Sequence, residues 1–231
     1  MQRIQLVNDE IYHIVFRAVG DSVIFNDEND FYRGVFSLYE LNNDNPVEIW
    51  LRRQQRKKEK LLGDPISQRD LFVEILAFCF MPNHIHLLLR QLKDKSISCF
   101  MQKVGIGYAT YYNKKYNRKG HLFNRFKAVH IKTNEQLRNV FVYNHTNPLS
   151  LIEPGWKENG IGNSDKAIRF LEKKYRWSSY FDFLGKKNFP SVTTRDFLLE
   201  IMGGASGCKE AVRNWIMHKK DIKNFSNVVL E

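Results

Sequence analysis

Cysteine is scarce in this chain of 231 residues: Cys79, Cys99 and Cys208 are odd in number and far apart. That spacing excludes a disulfide framework and a Cys-x-x-Cys zinc site, and it predicts reduced thiols in a cytoplasmic protein. No Gly-rich phosphate-binding loop occurs, so chemistry driven by ATP is not expected. No apolar run approaches the length needed to cross a bilayer, and the first residues lack a signal-peptide core, so no membrane partner is expected. Acidic residues are missing altogether between positions 95 and 132, where Lys103, Lys114, Lys115, Arg118, Lys119, Arg125 and Lys127 accumulate.

What is present is a folded and strongly basic chain. Hydrophobic residues make up 43% and aromatics 13%, enough for a core and too much for disorder. The formal charge is +11. A second basic run, residues 52–60, begins with Arg52 and Arg53. Two such runs on one basic chain predict a polyanionic partner, nucleic acid before an anionic membrane, since neither run carries a lipid-facing stripe.

Hydrophobic periodicity gives the order strand, helix, strand, strand, helix, strand. Residues 11–19 alternate as a first strand, and a helix opens at Asn29-Asp30. Residues 71–80 and 84–90 form two strands joined by the turn Met81-Pro82-Asn83. A basic helix spans 98–116, a short strand 126–131, and Asn134 caps a helix that ends before Pro148. This order is the ferredoxin-like split βαβ unit, and it predicts an α+β fold: a four-stranded antiparallel sheet with helices on one face. Residues 1–150 read as the core, interrupted by a basic insertion at about 44–68. Residues 151–231 read as a helical C-terminal extension.

Two constellations carry chemistry. His84 and His86 are one residue apart on a strand, so both imidazoles face the same way while Ile85 and Leu87 face the other. A shared metal ion would satisfy both rings. The plain alternative, two hydrogen-bonded or exposed strand histidines, is the commoner outcome for a bare His-x-His. Tyr143 and Asn147, four residues apart, share one face of the last core helix. A phenol next to a metal could attack a phosphodiester, with Asn147 as a neutral third ligand. The alternative for Tyr143 is an ordinary core aromatic. Other residues compete less well. His13 shares a strand face with Arg17 and reads first as a satisfied sheet histidine. His145 points away from Tyr143 and suits packing or a capping bond. His121 suits packing beneath a nucleic-acid channel. Tyr111, Tyr112 and Tyr116 on the basic helix suit packing or base stacking, with Tyr112 and Tyr116 the best rivals as nucleophile.

The blocks Met81-Pro82-Asn83-His84-Ile85-His86-Leu87, Gly120-His121-Leu122-Phe123-Asn124-Arg125-Phe126-Lys127, residues 143–148 and Arg176-Trp177-Ser178-Ser179-Tyr180 agree in order and spacing with one family. The chain resembles the single-tyrosine transposases of the HUH nuclease superfamily, the group that includes the REP-associated tyrosine transposases. The resemblance covers most of residues 1–185. It implies a transposase-like endonuclease and strand transferase acting on single-stranded DNA, often near a hairpin, through a 5′-phosphotyrosine. It makes Tyr143 the nucleophile and assigns His84, His86 and Asn147 to a divalent metal. Two imidazoles and an amide suit Mn²⁺ or Zn²⁺, and phosphate and water oxygens would complete a site for Mg²⁺, as the resemblance implies. Arg118, Lys119, Arg125, Lys127, Arg52 and Arg53 are the expected DNA contacts, on a monomer or dimer. The insertion at 52–60 is longer than the family's, and Asn144-His145-Thr146 is less apolar than usual. Two other readings stand beside this one: a rolling-circle-type nickase, and a non-catalytic nucleic-acid-binding regulator derived from a transposase. An RNA-recognition module shares the architecture, but its aromatic sheet motif is not evident.

Overall fold

A computed structural model describes residues 4–52, 54–55 and 69–218; Arg53 and residues 56–60 of the basic run lie outside them. The core elements are β1 (Ile11–Arg17), α1 (Glu28–Glu40), β2 (Val73–Met81), β3 (His84–Gln91), α2 (Ser96–Lys115), β4 (Lys127–Ile131) and α3 (Asn134–Thr146). A 3₁₀ turn, Asn147–Leu151, leads to α4 (Trp156–Asn159), α5 (Ser164–Lys173), α6 (Tyr180–Phe183), α7 (Asp196–Met202) and α8 (Gly204–His218). The expected ferredoxin-like α+β fold is the one observed. None of the described helices is long and apolar enough to cross a membrane.

Local chemistry sets the element ends. Asp27 caps α1 by accepting from the Asp30 amide, which starts that helix slightly earlier than the sequence reading placed it. Thr133, rather than Asn134, caps α3: its hydroxyl accepts from the Gln136 amide, while Gln136 Oε1 accepts from the Lys132 amide at 2.8 Å.

The sheet is antiparallel throughout, in the order β2-β3-β1-β4. Side-chain alternation divides it into two cores. On one face Tyr12, Ile14, Phe16, Ile85, Leu87 and Leu89 pack with Val35 and Leu38 of α1 and Phe100, Val104 and Tyr108 of α2. The opposite face is covered as well. Leu88 and Ile131 pack there with Leu137, Val140 and Phe141 of α3 and with Trp156, Leu171 and Trp215 farther along the chain. The two helices of the split βαβ unit do lie on one face; the apolar stripe of α3 draws the extension onto the other.

The C-terminal residues also complete the sheet. Phe80 N donates to Trp177 O at 2.9 Å and Ser179 N to Phe78 O at 3.0 Å, so the Arg176–Tyr180 block runs along the outer edge of β2. Trp177 crosses into the first core and stacks on Phe31 at 4.7 Å between centroids. The basic insertion leaves and rejoins the core at one point: Asp44 N donates to Asp70 O at 2.8 Å, and Lys93 Nζ bridges the carboxylates of Asp44 and Asp70.

Candidate active site

The turn Pro82-Asn83 joins β2 to β3 and sets the register in which Arg17 pairs with His84 and Val15 with His86. Paired antiparallel residues share a face. His13, two residues before Val15, therefore joins His84 and His86 on the face that α3 covers. His84 Nε2 and His86 Nε2 stand 2.9 Å apart, and His13 Nε2 is 3.1 Å from His86 Nδ1. His84 Nδ1 is 2.6 Å from Asn83 Oδ1, an acceptor, so that nitrogen carries the proton and Nε2 keeps its lone pair. Burial above all, together with the nearby titratable or basic groups of His84, His13, Lys157 and Arg17, holds the His86 imidazole well below its ordinary ionisation range. His86 is thus available as a neutral donor, with His84 Nε2 facing it.

The pair fits a divalent cation. Two nitrogens bound at right angles at about 2.1 Å from one ion lie about 3 Å apart, close to the observed Nε2–Nε2 distance of 2.9 Å. In that arrangement His86 Nδ1–H donates to His13 Nε2, the outer-shell bond that orients a ligating imidazole. Among the described residues no group of three or more His, Cys, Asp or Glu is placed to hold a metal, so the remaining ligands would be neutral or come from substrate and water. Asn147 caps the C-terminus of α3; it is buried, and its Nδ2 finds no hydrogen-bond partner among the described residues. An amide ligates a metal through its carbonyl oxygen, so Oδ1 is the atom Asn147 would offer.

Tyr143 is buried (4% exposed) and meets the histidines edge-on, its ring centroid 5.9 Å from His13 and 5.7 Å from His86. Lys157 Nζ donates to Tyr143 Oη at 3.3 Å. The structure therefore gathers His84, His86 and Tyr143, adds His13 and Lys157, and places Asn147 one helical turn beyond Tyr143. His13 was the weaker candidate in sequence; the signal for it was β1 pairing beside β3. Lys157 lies in a stretch with no motif, and only the fold brings it to Tyr143.

The rival tyrosines are on the other side of the sheet and are engaged. Tyr112 Oη donates to Val23 O at 3.0 Å, Tyr111 Oη to Asp30 Oδ1 at 2.9 Å and Tyr116 Oη to Asp30 Oδ2 at 2.6 Å. Burial and the Asp30 carboxylate raise the Tyr111 and Tyr116 phenols above their ordinary range, which disfavours the nucleophilic phenolate. His145 is fully buried, with Nδ1 2.8 Å from Phe141 O and Nε2 2.9 Å from Ser179 Oγ. His121 is exposed on the loop before β4.

The basic residues divide into two kinds. Lys119, Arg125 and Lys127 are exposed. Arg118 donates to Asn113 Oδ1 and to the carbonyls of Gly120 and His121, and so shapes the loop. Arg52 reaches the buried carboxylate of Glu40 at 3.4 Å.

Residues 55–146 match the family described as transposase IS200 like, a segment that contains His84, His86 and Tyr143 and stops one residue short of Asn147. Among solved structures, the chain is similar to a REP-associated tyrosine transposase bound to a REP hairpin. The TM-score is 0.50 at 14% identity, over 85% of this chain and 92% of that one. It is more loosely similar to a bacterial tRNA(His) guanylyltransferase-like protein in complex with GTP. There the TM-score is 0.39 at 10% identity, over 65% of this chain and 69% of that one, too low to carry an argument. No curated protein matches in sequence. The matched segment resembles that transposase family, and the fold is shared with the REP-associated tyrosine transposase.

Proposed function

We propose that this transposase cleaves and rejoins single-stranded DNA through a covalent bond to Tyr143. The reading is carried by one observation: the Tyr143 ring lies edge-on to His13 and His86, beside two Nε2 atoms 2.9 Å apart. Tyr143 Oη attacks phosphorus, its proton passes to water, and the bond from phosphorus to the 3′ oxygen breaks. That oxygen takes a proton from water and leaves as a free 3′-OH, while the 5′ phosphate stays on the tyrosine. Attack by another 3′-OH reverses the step, so the phosphodiester energy is retained and no nucleotide cofactor is needed.

His84, His86 and Asn147 would hold a divalent metal, Mg²⁺ or Mn²⁺, which when bound supplies Lewis-acid polarisation of the phosphate. Around it the protein's own groups position the reaction. His13 orients His86, Asn83 orients His84, and α3 fixes Tyr143 above the sheet. A single strand suits the site because the phosphate must approach a covered sheet face, where a duplex is bulky. The structural neighbour's hairpin makes hairpin-bearing single strands the substrate class to test.

The test is a labelled hairpin-bearing single strand incubated with the protein and Mg²⁺ or Mn²⁺. A denaturation-resistant adduct is expected, mapped by peptide analysis to Tyr143 and absent from Tyr143→Phe, with Tyr112→Phe and Tyr116→Phe unaffected. An adduct on any other tyrosine overturns the assignment.

A further inference from the structure

Resting on Tyr143 as the nucleophile, we infer that Lys157 is a further catalytic residue, whose ammonium binds the non-bridging oxygens of the scissile phosphate. The sequence around Lys157 explains how a flexible side chain comes to be held there. Gly155 takes a left-handed conformation (φ +82°) that turns the chain into α4. Trp156 then anchors that short helix: it is buried, and its ring meets Trp215 of α8 at 5.0 Å. The next residue is therefore presented to the sheet face. The half-buried stem of Lys157 brings Nζ to 3.3 Å from Tyr143 Oη and 5.3 Å from the centroid of the Tyr143 ring.

A phosphorus under attack stands about 3–3.5 Å from the attacking oxygen. With Nζ already within hydrogen-bonding distance of that oxygen, a non-bridging oxygen of the same phosphate falls within reach of the ammonium. A cation fixed at that place meets charge as it develops and needs little rearrangement. Arg17, the other cation beside the histidines, is turned to Asp21 at 2.9 Å. Lys157 is thus the basic side chain directed at the reacting oxygen. In the attack Lys157 keeps its three protons: the new bond joins Tyr143 Oη to phosphorus, the bond to the 3′ oxygen breaks, and the proton transfers are those with water given above.

The competing account is packing, a cation over an aromatic ring with no part in the chemistry. Substrate charge separates the two. Single-turnover adduct formation would be measured for wild type, Lys157→Met and Lys157→Arg, on a hairpin-bearing strand with an ordinary phosphodiester or a methylphosphonate at the cleavage position. We expect Lys157→Met to slow the phosphodiester reaction by ~10²–10³-fold, with an unchanged thermal midpoint and an affinity for the strand within a few-fold of wild type. Lys157→Arg should recover part of the rate. On the methylphosphonate, which lacks the charged oxygen, wild type and Lys157→Met should converge. If Lys157→Met fails to fold, Lys157→Gln gives the same comparison. A Met or Gln variant within threefold of wild type on the phosphodiester refutes the inference, as does an equal loss on both substrates. No adduct with wild type on either substrate would instead remove the Tyr143 reading, and this inference with it.

Discussion

Replacing Ser179 with alanine isolates the contact that joins the Tyr143 helix to the sheet edge. The Ser179 side chain is fully buried. Its Oγ lies 3.1 Å from Phe78 N and 2.9 Å from His145 Nε2. The protons can be assigned. His145 Nδ1 faces the Phe141 carbonyl at 2.8 Å and must donate to it, so in the neutral ring Nε2 accepts from the serine hydroxyl. The same Oγ accepts from Phe78 N–H. Alanine leaves both buried groups without this partner, at about 1–3 kcal/mol each, so a loss of roughly 2–6 kcal/mol is expected. For a chain of this size that lowers the melting midpoint by about 5–15 °C. Ser178→Ala is the matched control: its Oγ only accepts a 3.3 Å bond from Tyr180 N, so its loss should stay within about 1 kcal/mol. Urea unfolding of both variants, followed by fluorescence, gives the numbers. A Ser179→Ala loss no larger than that of Ser178→Ala would refute the argument that this hydroxyl seats α3.

Burial holds the His145 imidazole down at about 3, against an ordinary 6.5, so between these values the unfolded chain binds the extra proton. Stability is therefore expected to fall as pH drops from about 6.5 towards 3, and His145→Gln should flatten that limb by on the order of 5 kcal/mol; superimposable acid limbs would contradict this. His84→Ala and His86→Ala should each abolish Mn²⁺ binding in calorimetry and adduct formation, while leaving single-strand affinity within a few-fold; undiminished Mn²⁺ binding by either variant would remove it from the metal site. Affinity for single-stranded DNA should fall with salt. Lys119→Ala, Arg125→Ala or Lys127→Ala should each reduce the log–log slope by about 0.7 for a lost phosphate contact, whereas Arg52→Ala should leave the slope alone and destabilise the fold by removing its ion pair with the buried Glu40. An unchanged slope in all three exposed-residue variants would place the DNA elsewhere.

The parts of this molecule readable from sequence are those that depend on local periodicity. Alternation along 84–90 put both histidines on one face because strand geometry allows nothing else, and the 143–147 spacing put Tyr143 and Asn147 on one helix face. What escaped was decided by tertiary neighbours. His13 reads as one sheet histidine until β1 is known to lie beside β3 in the register pairing Val15 with His86. Lys157 becomes relevant only because Trp156 finds Trp215, 59 positions away, and pins α4 over the sheet. Charge says less about place: Arg118 and Arg52 read as phosphate contacts in sequence, and in the fold they also donate to Asn113, Gly120 and His121, and to Glu40 and Gln55. A net positive run does not reveal which of its members the protein already uses.

The two connections flanking β2 differ in how much change they can absorb. Between β2 and β3, Pro82-Asn83 leaves no slack. One added residue there would shift β3 by one place against β1 and turn His84 and His86 into the apolar core, exchanging them with Ile85 and Leu87. Before β2, the Asp44–Asp70 backbone bond and the Lys93 bridge close the insertion at its base, so the chain entropy of a change in its length is small, about 0.6 kcal/mol per doubling, provided that Val47, Ile49 and the Arg52–Glu40 pair keep their places on the core. Descendants of this chain can therefore lengthen or shorten that excursion while the strand pair that carries the histidines stays in register.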